Sequence, residues 1–112
     1  MPALYVVLKK MPSIIAKISM KPEADGGRPC GFWTSYRPHL VPDSTEDYLG
    51  VSVVDIEEAD AVLPGTIRTV QFQLMYPGVD YSGLAVGRRF EIREGQRSVG
   101  EGIVIDRNEE ES

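Results

Sequence analysis

With 112 residues, 42% hydrophobic and 26% charged, the chain has the make-up of an ordinary soluble globular domain with one modest core. A net charge of −5 at neutral pH argues against a generic nucleic-acid binder, whose faces are basic, and leaves room only for a local basic patch. The lone cysteine, Cys30, excludes an intrachain disulfide framework, and no apolar run is long enough for a membrane helix.

The first ten residues, Met1 to Lys10, have a short apolar centre whose charges follow it rather than precede it. That is the reverse of a secretory signal, so a cytoplasmic protein is expected, with residues 1–12 an N-terminal extension or an edge strand. From Ile14 to Lys21 the period is two: Ile14, Ala16, Ile18 and Met20 share one face, and Lys17, Ser19 and Lys21 the other. This predicts a half-buried strand. Ala24 to Gly27 reads as a turn, and Gly31 to Tyr36 leads toward a further strand. Tyr48 to Ile56 is rich in β-branched residues and predicts another. Asp55 to Ala61 has room for one helical turn before Pro64-Gly65 ends it.

Thr66 to Leu74 alternates again, with Val70, Phe72 and Leu74 facing inward. After the Tyr76-Pro77-Gly78 loop, Phe90 and Ile92 alternate against Arg89, Glu91 and Arg93; Glu94-Gly95-Gln96 then turns the chain into a last strand, Val99 to Ile105. Residues 107–112 are acidic and apolar-free, which predicts a disordered tail. Many short strands, eleven glycines, eight prolines and no helical period predict an antiparallel sandwich or small barrel. A barrel also removes the exposed sheet edges.

Little here supports catalysis. His39 is the only histidine, Cys30 lies between Pro29 and Gly31 without an activating signature, and Glu57, Glu58 and Asp60 read as a solvated face. There is no P-loop or dinucleotide fingerprint. Gly95 to Gly102 has no helix behind it to present amides to a phosphate, so Gly100 and Gly102 are better explained by close strand approach at a barrel bend. No enzyme, cofactor or metal site is therefore expected. Arg28, Arg37, Arg88, Arg89, Arg93 and Arg97 are interleaved with Phe32, Trp33, Tyr36 and Tyr76. That pattern suits an RNA-contact surface. It equally suits arginine stems packed on the barrel wall and ion-paired across strands with Glu91, Glu94 and Glu101, and the residues alone favour this second reading.

Three stretches in order, GGRPCGFWTSYRPHL (Gly26 to Leu40), LPG (Leu63 to Gly65) and GRRFEIREGQRSVGEGIV (Gly87 to Val104), resemble the C-terminal β-barrel, domain 3, of bacterial elongation factor Tu. The resemblance covers roughly residues 13–105, and Val41 to Asp60 matches least. It implies an all-β, closed six-stranded antiparallel Greek-key barrel over residues 13–106. The family's GTPase domain has no counterpart in these residues, so no GTP binding by this chain alone is expected. By the same resemblance the RNA-facing positions would be Arg28, Pro29, Tyr76, Glu94 and Gly95. Arg28, Glu94 and Gly95 keep the family's residue types, whereas Pro29 and Tyr76 stand where histidine or a basic residue is usual. The protein-facing positions would be Gly26, Gly27, His39 and Glu91, the last two replacing glutamine and alanine. Glu101 also stands where the family has alanine, and would either face solvent or pair with Arg97. The implied function is a non-catalytic binding module associated with translation, taking tRNA-like RNA or a translation factor. The alternative is a protein-interaction or regulatory module with a repurposed barrel surface and no tRNA binding.

Overall fold

In the computed structural model, which describes residues 11–109, the period-two segments become strands. They are β1 (Ser13–Met20), β2 (His39–Pro42), β3 (Leu49–Val54), β4 (Ile67–Leu74), β5 (Arg89–Glu94) and β6 (Arg97–Asn108). They hydrogen-bond in the order β1-β4-β3-β2-β5-β6 and close into a barrel in which every pair is antiparallel. The expected closed, six-stranded, all-β barrel is therefore the fold. The described helical segments are single 3-10 turns, Glu23–Asp25, Glu58–Asp60 and Ser82–Leu84. No helix among the described residues is long and apolar enough to cross a membrane.

The core is what alternation on a pleated strand dictates. Ile14, Ala16, Ile18 and Met20 of β1, Val70, Phe72 and Leu74 of β4, and Phe90 and Ile92 of β5 all point inward and are buried. Phe72 and Phe90 meet edge to face at 6.4 Å in the barrel interior, the arrangement favoured by ring quadrupoles. Room for Phe90 comes from β6. A Cβ on Gly102 would lie 2.7 Å from Phe90 Cζ, 2.8 Å from Ile18 Cγ2 and 2.9 Å from the Lys17 carbonyl. Gly102 is thus a close-approach glycine, as the sequence predicts.

Strand β6 carries two irregularities. Ile92 pairs with Gly100 and Arg93 with Ser98, so Val99 is an extra residue; it turns inward beside Gly100 and is fully buried. Ile15 pairs with Asp106 and Ala16 with Val104, which leaves Ile105 bulged and exposed. Such bulges sharpen strand bending and help a sheet close on itself. The β5–β6 hairpin closes through Gly95-Gln96, with Gly95 at φ 64, a conformation open to glycine at little cost.

Residues 31–36 form a single bridge, Phe32 to Val62, and lead into β2, which starts at His39. Pro38 has no N–H to give a ladder; its carbonyl accepts from Val51, and that of Tyr36 from Val53. Strand β6 runs to Asn108, because Ile14 pairs with Arg107 and Ser13 with Asn108. Arg107 therefore belongs to the barrel and not to a tail. The expected N-terminal extension over residues 1–10, and residues 110–112 of the expected tail, lie outside the described residues.

Because neighbours are all antiparallel, β1, β3 and β5 end on one rim and β2, β4 and β6 on the other. The β5–β6 turn therefore sits on the first rim, and the loop after β4 on the second.

Candidate functional site

The first rim collects most of the residues singled out in the sequence. After β1, the Glu23–Asp25 turn ends with Gly26 at φ 93, its amide donating to the Glu23 carbonyl at 3.1 Å. Gly27 then folds under the turn: its amide donates to the Pro22 carbonyl at 3.0 Å, and a Cβ there would sit 2.1 Å from the Lys21 carbonyl oxygen. Gly26 is thus held by its left-handed backbone and Gly27 by lack of space. Both glycines have a structural cause, and Arg28 follows them directly.

The Arg28 guanidinium is enclosed by acceptors. Nη1 donates to Glu94 Oε2, Nε to the Cys30 carbonyl at 3.3 Å and Nη2 to the Gly31 carbonyl at 3.4 Å. Its plane lies over the Tyr36 ring, 4.4 Å from the centroid, and Tyr36 stacks in turn on Phe32 at 4.5 Å. The Tyr36 hydroxyl donates to the same Glu94 oxygen at 2.6 Å. Phe32, Tyr36 and Arg28 are therefore layered, and Glu94 ties the upper two together from the tip of β5. Burial, then the hydrogen bond to Glu94, pushes the Tyr36 hydroxyl well above its ordinary pKa. Burial also opposes ionisation of Glu94, but the hydrogen bonds from Tyr36 and Arg28 outweigh it and hold the carboxyl below its usual range. Arg97 adds only a long contact, 3.9 Å, to the other Glu94 oxygen.

Beside this cluster lies an open groove of ≈ 270 Å³, lined by residues 30–36 and by Arg28. Its floor is held to the barrel at two points. Phe32 and Val62 exchange backbone hydrogen bonds at 3.0 and 2.9 Å. The Thr34 hydroxyl donates to the Ile56 carbonyl at 2.8 Å and accepts from the Ile56 amide at 2.9 Å. Trp33 stays 39% exposed along the groove and Leu63, across the bridge, 55% exposed.

The remaining predicted residues fall elsewhere. Tyr76 follows β4 and so lies on the second rim, packed against Gly50, where a Cβ would meet its ring at 2.6 Å. The set Arg28, Tyr76, Glu94 and Gly95 thus forms no single patch: three members gather at one rim and Tyr76 does not join them. Pro29 is exposed next to Arg28, and Gly95 is exposed at the hairpin tip. His39 and Glu91 lie on the β2–β5 wall. His39 packs edge-on against Tyr48 at 5.6 Å, and Arg93 binds Glu91 at 2.7 Å and the Tyr48 hydroxyl at 2.8 Å. Glu91 therefore has its counter-charge two residues along its own strand. Glu101 faces solvent directly across from Glu91, and Arg97 reaches toward Glu94 instead of Glu101.

Two contributors were not legible in the sequence. Tyr81 sends its hydroxyl to the Gly50 carbonyl at 2.6 Å and accepts from the Tyr76 amide at 3.1 Å, pinning the loop after β4. Arg107 caps the Ser82–Leu84 turn, donating to the carbonyls of Tyr81 at 2.8 Å and Leu84 at 3.2 Å. Among the described residues no group of three or more His, Cys, Asp or Glu side chains is placed to hold a metal ion. No protein-family model matches the chain.

Proposed function

We propose that this barrel is a non-catalytic binding module whose first rim engages a protein, the second of the two readings that the likeness to domain 3 of elongation factor Tu leaves open. The observation that carries the proposal is the state of Arg28. Its charge is matched by Glu94, its face is covered by Tyr36, and two further donors are spent on backbone carbonyls. A phosphate would have to displace these partners rather than meet a free donor. The same rim presents Trp33 and Leu63 on a pinned floor, and exposed aromatic anchors of this kind dominate protein interfaces.

The RNA reading draws its support from the exposed hairpin tip, where Gly95, Gln96 and the 54% exposed Arg97 side chain project together. A titration separates the two. We expect no saturable binding of aminoacyl-tRNA or of a single-stranded oligoribonucleotide at micromolar protein. Submicromolar affinity that falls steeply with added salt would replace the protein reading with the RNA one.

A further inference from the structure

The segment that adjoins the groove on the first rim is acidic. It lies between β3 and β4 and touches the groove twice: Ile56 is locked to Thr34, and Ala61 lies against Gly31, whose Cβ would meet that of Ala61 at 3.1 Å. Residues 57–60 join these two points, and Glu57, Glu58 and Asp60 are exposed. Asp60 is neutralised by Arg68 at 3.1 Å. Glu57 and Glu58 have no ion-pair partner among the described residues. Arg28, which lines the groove, is paired with Glu94.

We propose that this groove docks a basic protein segment: one apolar side chain seated between Trp33 and Leu63, flanked by lysine or arginine that meets Glu57 and Glu58. This deepens the protein-binding reading above and rests on it. The anchors are pre-positioned, because the residues beneath them, Phe32 and Val62, are core residues at 2% and 1% exposure and are bonded to each other. Little ordering is then required on binding, which favours affinity from a small contact. The unpaired acid of the adjoining segment selects the sign of the partner and rejects acidic segments.

Trp33 is the only tryptophan in the chain, so its fluorescence reports on the groove directly. Three probes are titrated: a short peptide with a central leucine between lysines, the same peptide with glutamates, and a single-stranded oligoribonucleotide. The lysine peptide is expected to give a saturable spectral shift that weakens with salt, and the glutamate peptide none. In the Glu57→Gln/Glu58→Gln protein its Kd should rise about fivefold, the worth of two exposed ion pairs. Leu63→Ser should weaken it by a similar factor or more through loss of the apolar seat. Both changes are at exposed positions, so an unchanged melting temperature confirms that the fold is intact.

Equal response to the two peptides, or unchanged affinity in the Glu57→Gln/Glu58→Gln protein, would overturn the proposal. A partner protein that binds the Leu63→Ser and Glu57→Gln/Glu58→Gln proteins as well as the unaltered one would place docking elsewhere while leaving the protein-binding reading intact. A shift with the oligoribonucleotide alone would sink both.

Discussion

Glu94→Gln is the substitution that interrogates the rim most directly. Glutamine keeps the shape and an acceptor for the Tyr36 hydroxyl but removes the charge that Arg28 faces. The Arg28 side chain is only 18% exposed and that of Glu94 30%, so the guanidinium would be left in a half-dry site without its counter-charge. A charge-assisted hydrogen bond contributes about 1.5–3 kcal/mol and an exposed pair well under 1; partial solvent access places this one at roughly 1–2 kcal/mol. In a domain of this size each kcal/mol moves the melting temperature by about 4–8 °C, so a fall of roughly 5–15 °C at neutral pH is expected by circular dichroism or calorimetry. The pH dependence gives a second handle. Glu94 has a folded pKa below its unfolded one. Its contribution is therefore complete above the ordinary carboxylate pKa, about 4.3, and is lost as pH falls through the lower folded value. The gap between the unaltered and Glu94→Gln proteins should stay constant near neutrality and close in the acid range. Equal melting temperatures at pH 7, or a gap that persists undiminished in acid, would refute the account of the cluster.

Three further changes test the barrel frame and its second rim. Gly102→Ala drives a methyl against the Lys17 carbonyl oxygen as well as Phe90 and Ile18; overpacking of this kind costs about 1–3 kcal/mol and should lower the urea midpoint accordingly. Tyr81→Phe leaves the Gly50 carbonyl and the Tyr76 amide without their shared partner, for a loss of roughly 1–2 kcal/mol in thermal melts. Arg107→Ala removes two donors from the Ser82–Leu84 turn and should destabilise by about 1–2 kcal/mol. A dispensable tail residue would give no change.

The barrel itself was readable wherever one side of a strand faces the core. Ile14 to Met20, Val70 to Leu74 and Phe90 to Ile92 all obey the period of two, and all their inward residues are buried. Legibility failed where the period breaks for a geometric reason. Two successive inward residues at Val99 and Gly100 come from a bulge that composition does not announce. The strand that Gly31 to Tyr36 leads into begins only at His39, after Pro38, which has no N–H to donate. Arg107 looked like tail composition, although its guanidinium has two buried-side acceptors waiting on a turn more than twenty residues earlier in the chain.

At the site, ion pairing of Glu91 and Glu94 with arginine was the reading favoured by residue types, and both pairs exist. The cross-strand pairing expected from the sequence occurs between Glu94 and Arg97, opposite one another on β5 and β6 at 3.9 Å, while the shorter pairs come from Arg93 on the same strand as Glu91 and from Arg28 in a loop. The Tyr36–Glu94 contact spans 58 positions and has no local signal at all. Placing Tyr76 on the other rim required knowing strand directions, which residue types do not encode.

The internal pairing of Arg28 also constrains how this rim could meet RNA. Transferring its guanidinium from Glu94 to a phosphate would leave an uncompensated carboxylate beside that phosphate, so the exchange adds almost no net neutralisation. Among the described residues, the nearby arginines without a short ion pair are Arg37, next to Tyr36 in sequence, and Arg97, whose contact to Glu94 is 3.9 Å. Two net phosphate contacts to a single strand correspond to a salt slope of only about −1.4 in log K against log [salt], too shallow for the affinity of a dedicated RNA surface. An apolar side chain entering between Trp33 and Leu63 has no such bond to break first. It gains from removing exposed aromatic and aliphatic surface from water, and the proposed basic flanks would meet Glu57 and Glu58, which have no ion-pair partner among the described residues. That difference is what favours the proposed basic protein segment over RNA on this rim: the Arg28 guanidinium is already bound within the fold.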